Sequence, residues 1–317
     1  MRAAALDLAA QFGIEEAADG LIATFRDQKA GSVQRGQALK ALAGLKIDEL
    51  EGLIEAGLAD AEPALRIVAR NLLAAREPEA ALALISATLE EGSIREQQAA
   101  IDLLAQLPNS TPRNALLQQS VEKLLAGTLE EQLQLEVVEA VGRSGYAQLQ
   151  EKVAQFHGQL TESDPIRGYQ ETLRGGDAKR GREIFFYRNE LACLRCHQID
   201  GHGGAVGPEL SHVGSDKTSR YLLTSLLAPS NDVDPRYATW EIETDDGQIV
   251  TGLKVADGEA IELLQADGRK RAFSRNEIES LRMIRQSAMP EGLAEKITRR
   301  ELRDLVAFLA SLRKPTR

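Results

Sequence analysis

Cysteine is almost missing from this chain: there are two in 317 residues. That excludes a small scaffold stapled by several disulfides. Aromatic residues make up only 4%, with a single tryptophan. Together with abundant Ala, Leu and Glu, this disfavours a sheet-dominated fold and points to helices. No apolar run approaches the roughly 18–20 residues that a membrane-spanning helix needs. A secretory leader is not evident either, because Met1 to Gly13 reads as an amphipathic helix. Positive charge is also scarce in the first half. Residues 1–174 hold 16 Lys/Arg against 26 Asp/Glu, a net of −10, while residues 175–317 hold 22 of each. An acidic half of this kind argues against nucleic acid as a partner.

What the first half does contain is a recurring phrase. It reads ALDLAAQFG from Ala5, ALKALAGLK from Ala38, ARNLLAARE from Ala69, AIDLLAQLP from Ala100 and VVEAVGRSG from Val137. The offsets are 33, 31, 31 and 37 residues. Apolar residues spaced i, i+3, i+4 and i+7 make each phrase a helix with one buried face. Second helices are expected over Asp48–Leu58, Pro78–Leu89 and Asn114–Leu125, with Gly31-Ser32, Glu77-Pro78 and Pro108-Asn109-Ser110 at the joins. A fixed period in this range predicts stacked supersecondary units. The tetratricopeptide and ankyrin phrases are missing, so residues 1–174 resemble short HEAT-type α-α repeats, a solenoid that carries no chemistry of its own.

Both cysteines fall in Cys193-Leu194-Arg195-Cys196-His197. C-x-x-C-H is the attachment pattern of a c-type haem: two thiols one turn apart meet two vinyl groups, and the next His ligates iron. A thioredoxin-type pair would leave His197 without a role. A zinc site would have to recruit His202 and His212, whose spacing does not suit one. The Gly-rich run Gly201 to Leu210 follows and can lie flat against a ring. Pro208 is the expected carbonyl acceptor for the second ring nitrogen of His197. Leu210 is expected to pack on the His side.

Gly176-Asp177 should cap a helix over Ala178–Tyr187, with Gly181 and Phe185 on one face. Its expected partner is the last helix, which a capping box at Thr298–Glu301 opens. Ser215 is expected to cap a helix from about Lys217 to Leu227. From Arg236 the pattern turns to alternation broken by Asp-Gly pairs, which predicts about four antiparallel strands over residues 236–275. Trp240 should be core. Of the two thioethers near the chain's end, Met283 sits in an alternating run that reads as packed strand. Met289 sits in a Pro/Gly loop and is the candidate sixth ligand of the iron, with His202 and His212 as its rivals. His157 reads as a surface or interface residue.

Taken in order, Gly176-Asp177…Gly181…Phe185, the Cys193–His197 motif and Val206-Gly207-Pro208-Glu209-Leu210 resemble the planctomycete-type c-type haem-binding domain. The likeness continues through Ala228-Pro229-Ser230, the Asp-Gly hairpins, Ser287-Ala288-Met289-Pro290-Glu291-Gly292-Leu293 and Asp304–Leu309. The resemblance implies His197 and Met289 as axial ligands of one covalently attached haem c. It also implies an exported, periplasmic location, so that the chain would be a mature form or a piece of a longer protein. The expectation is therefore a mainly α protein. Residues 1–174 form a HEAT-like solenoid. Residues 175–317 form a cytochrome c-type helical domain with a small antiparallel β insert at about 236–275. Its expected function is electron transfer, rather than enzyme catalysis, from a dehydrogenase donor to a respiratory acceptor. The alternative is a gas sensor or peroxidase with a displaceable Met ligand.

Overall fold

A computed structural model describes residues 17–45 and 47–314. The repeat phrase at Ala5 lies outside the described residues. The chain divides into two compact units, Met1–Phe156 and His157–Arg317. It is mainly helical, with a two-stranded ladder, β1 (Gln198–Ile199) and β2 (His202–Gly203), and one five-stranded antiparallel sheet.

Among the described residues of the first unit, nine α-helices follow one another: α1 (Ala18–Arg26), α2 (Ser32–Gly44), α3 (Leu50–Leu58), α4 (Pro63–Arg76), α5 (Pro78–Glu91), α6 (Ile94–Gln106), α7 (Thr111–Leu125), α8 (Gln134–Ser144) and α9 (Ala147–His157), the last residue of α9 belonging to the second unit. The phrases at Ala38, Ala69, Ala100 and Val137 fall on α2, α4, α6 and α8. Pro63 and Pro78 open α4 and α5, where a missing N–H costs nothing. Ser93 and Glu96 form a capping box at α6, and Gly145 ends α8 at φ 69°. Short helices of this kind are marginal in isolation and gain their stability from packing. The helices share two cores, one around Leu21, Leu39 and Leu65 and one around Ile85, Leu104 and Val137. Leu73 of α4 packs against both.

Polar links repeat from one phrase to the next. Arg35, the fourth residue of α2, donates from Nη2 to Asp60 Oδ2 at 2.6 Å. Arg66, the fourth residue of α4, makes two 2.8 Å bonds to the Glu96 carboxylate. Glu96 is buried, and the Arg66 guanidinium holds its carboxyl down at about 2.

The second unit contains α10 (Ala178–Tyr187), α11 (Val213–Asp216), α12 (Ser219–Leu227) and α13 (Arg299–Ser311). Asp177 caps α10, accepting from Lys179 and Arg180, and Thr298 with Glu301 forms the expected box at α13. The two helices cross closely at Gly181, where a Cβ would run into the carbonyl oxygen of Asp304. Phe185 packs on Phe308 at 5.7 Å between ring centroids. Ile166, Leu223, Leu302 and Val306 complete this core.

The boundary between units falls at Phe156/His157 rather than at 174/175. Residues 157–174 join the second unit because Ile166, Glu171 and Thr172 are fully buried there. The Glu171 carboxylate takes His157 Nε2 at 3.2 Å and is ion-paired to Arg299 of α13. His157 is thus a bonded, half-buried residue.

The sheet has five antiparallel strands in the order β6-β5-β4-β3-β7: β3 (Ala238–Thr244), β4 (Ile249–Asp257), β5 (Ala260–Leu264), β6 (Lys270–Ser274) and β7 (Ile278–Ser287). It runs to Ser287, beyond the expected end near 275, because β7 returns to pair with β3. Its small core is Ile242, Val250, Ile261, Leu263 and Phe273. Trp240 is only half-buried, with Lys254 Nζ 3.8 Å from its ring centroid. Met283 lies on β7 as expected but is 47% exposed, so it is not packed. The cap of α12 is Thr218 and not Ser215; Ser215 instead accepts the Lys314 N–H at 2.8 Å.

Candidate functional site

The C-x-x-C-H run forms a tight turn. Ala192 enters it at φ 49°, Cys193–Arg195 makes one 3₁₀ turn, and the His197 N–H donates to the Cys193 carbonyl at 2.9 Å. A two-residue ladder, β1 (Gln198–Ile199) with β2 (His202–Gly203), turns the chain back. The Gly-rich segment then runs along the motif. Gly204, Gly207 and Leu210 donate to the carbonyls of Leu194, Cys196 and Gln198 at 2.7–2.8 Å. Gly207 lies against the His197 ring so closely that a Cβ would stand 2.7 Å from Cε1 and 2.9 Å from Nδ1.

Nδ1 of His197 is 2.9 Å from the Pro208 carbonyl oxygen. A carbonyl accepts only, so Nδ1 carries the proton and Nε2 keeps a free lone pair. Burial pushes the imidazole pKa down, while the Pro208 bond opposes that shift. An imidazole protonated at Nδ1 alone is the form that can bind a metal through Nε2.

A cavity of about 810 Å³ opens beside this ring. Cys193, Cys196, His197, Pro208, Leu210 and Met289 all line it, so the six predicted residues share one space. Of the rivals, His212 also lines the cavity, whereas His202 and Met283 do not. His202 is exposed, with Nδ1 2.9 Å from the Asp200 carbonyl. Among the described residues, no three His, Cys, Asp or Glu gather to hold a metal ion.

The cavity lining includes an apolar set and a polar set of side chains. Phe185, Leu222, Leu226, Leu302, Leu305 and Leu309 supply the first, all from helices of the second core. Lys217, Tyr221, Asp232, Asp234, Arg236 and Tyr237 supply the second. The sequence reading missed this polar set. Its only signal was the turn punctuation at Pro229 and Pro235, which does not say what the turn faces.

Both cysteines are free thiols. Burial pushes Cys193 up to about 11 and raises Cys196 as well. A catalytic or redox-sensing thiol has the opposite character, a lowered pKa in an electropositive setting. The pair is therefore arranged as neutral sulfurs facing a largely apolar cavity.

A haem fits these residues. The volume lies within the roughly 300–1,000 Å³ of ligand cavities. The glycine at the imidazole, the His with a fixed tautomer, the two thiols and the thioether are donors of the kinds that could hold such a group. No family model and no curated protein matches the chain. Among the described residues, no helix is long and apolar enough to cross a membrane.

Proposed function

We propose that residues 157–317 are a monohaem c-type cytochrome domain that transfers single electrons, and that the preceding helices are a HEAT-like solenoid serving as a docking scaffold. The observation that carries this reading is the His197–Pro208 bond beside the two cysteines in one cavity. Cys193 and Cys196 would hold the haem through thioether bonds, and His197 Nε2 and Met289 Sδ would ligate its iron. When bound, the haem supplies one-electron chemistry through its ferrous and ferric states.

The chain's own residues have separate tasks. Pro208 fixes the imidazole tautomer and orientation. Gly207 leaves room for that ring and restricts its rotation. The leucines of α12 and α13 exclude water, which keeps the local dielectric low and the ligand set stable. Met289 contributes a soft thioether that favours the reduced state. A filled sixth position suits electron transfer; an open one suits gas or peroxide chemistry. On this reading the partners are an electron donor such as a periplasmic dehydrogenase and a respiratory acceptor, and the protein works in an exported compartment.

The test is ligand access. Unmutated protein should be low-spin, with the weak far-red band of an iron–thioether bond, and the reduced form should resist carbon monoxide. Met289→Ala should bind it readily, Met289→His should stay low-spin at a lower potential, and Met283→Leu should leave the spectrum unchanged. Unmutated protein that takes carbon monoxide as readily as Met289→Ala would make the sensor or peroxidase reading the better one.

A further inference from the structure

The turn Ala228-Pro229-Ser230 ends α12 and has no part in the chemistry described so far. It lies against the Met289 loop. The Ser287 N–H donates to Ser230 Oγ at 3.2 Å, and the Ser230 hydroxyl donates to Glu291 Oε1 at 2.8 Å. The Ser287 hydroxyl accepts the Met289 N–H at 3.1 Å. One serine thus holds the loop two residues before Met289 and two residues after it. The Ser287–Met289 link is local in sequence. Ser230 is not: it is 57 residues from Ser287 and 61 from Glu291. It ties the loop to a separate element.

The turn itself is rigid. Pro229 is buried and lines the same cavity, with its φ fixed by the ring. The Asn231 N–H closes the turn on the Ala228 carbonyl at 3.0 Å. On the loop side, Ser287 also pairs with Ala238 at the end of β7, so the strand supports that end. Glu291 is exposed, and its link to Ser230 braces the stretch between Met289 and the buried Leu293.

We propose that Ser230 is a positioning residue for the Met289 thioether, setting how often the sixth position opens. This rests on the reading of Met289 as the axial ligand. A loop fixed at both flanks has fewer conformations in which Met289 leaves the iron. Loss of one hydrogen bond of ordinary strength would raise the open population about five-fold. Apparent affinity for an external ligand scales with that population.

The experiment compares unmutated haem-loaded protein with Ser230→Ala, Ser230→Thr and Glu291→Ala, each matched for covalently bound haem. Carbon monoxide affinity of the reduced form, the far-red band of the oxidised form and the reduction potential are read. Ser230→Ala should raise the affinity about five-fold, weaken the band and lower the potential. Ser230→Thr, which keeps the hydroxyl, should restore all three. Glu291→Ala changes an exposed position and should move them in the same direction by less, so it decides the matter if Ser230→Ala does not fold. Unmutated protein already open to carbon monoxide would overturn the Met289 ligation itself. Closed unmutated protein, with affinity and potential unchanged in the alanine variants, would overturn the role of Ser230 alone.

Discussion

The carbonyl oxygen of Pro208 stands 2.9 Å from Nδ1 of His197, and Gly207, one residue earlier, lies against the same ring. The acceptor and the wall that holds the donor in place are thus adjacent in sequence. Gly207→Ala should push the imidazole off its acceptor, because the added carbon would sit 2.7 Å from Cε1. We expect a loss of about 1–3 kcal/mol in stability and a partial shift to high-spin haem. Thermal melting and the visible spectrum would measure these; an unchanged spectrum would show that the ring tolerates the methyl.

Gly181 allows the closest approach of α10 to α13. Alanine there would meet backbone at Asp304 and the Phe308 Cβ, neither of which is a flexible side-chain tip. Gly181→Ala should destabilise the second unit by about 3 kcal/mol or more, at the upper end of overpacking costs. Denaturant unfolding followed by haem absorbance would report it, and a midpoint within error of the unmutated protein would refute the close-crossing account.

In the first unit, acid should act through Glu96. Its carboxyl is held at about 2, against an ordinary 4.5, chiefly by the Arg66 bonds. The folded value is the lower one, so the stabilisation is fully present above about 4.5 and is lost as pH falls through about 2. The Glu96 side chain is only 4% exposed. The shift corresponds to about 3 kcal/mol. Glu96→Gln should destabilise the unit by a similar amount at neutral pH and flatten its acid dependence in that window. Equal slopes in the two proteins would remove Glu96 as the cause.

Residues 1–156 should fold without the rest of the chain. Their cores are completed by their own helices, and nearest-neighbour packing supplies the stability. A fragment ending at Phe156 should melt cooperatively, and one ending at Arg174 should melt at the same temperature. A disordered shorter fragment would mean that residues beyond 156 are needed.

The parts of the fold governed by short-range rules were legible. The bounds of α10, the capping box at Thr298 and the helices bearing the phrases at Ala38, Ala69, Ala100 and Val137 follow from periodicity and cap chemistry. The Pro208 acceptor was legible because a ligating His needs a partner and the adjacent glycines bring backbone near. Contacts between distant segments were not. Residues 157–174 carry no helical pattern, and contacts such as the pairing of Glu171 with Arg299 and the burial of Ile166 reveal where they belong. β7 was visible as alternation, yet its partner β3 lies across three intervening strands. Ser230 could be seen only as turn punctuation, because its partners Ser287 and Glu291 come 57 and 61 residues later in the chain.

The central claim is a haem joined covalently through Cys193 and Cys196. It is tested most directly by producing the protein in a host with c-type maturation and taking its intact mass under denaturing conditions. The account predicts the polypeptide mass plus one haem. That adduct should survive acid–acetone extraction and should be weakened or abolished in Cys193→Ala and Cys196→Ala. An unaltered polypeptide mass, with any haem extracted quantitatively, would contradict it.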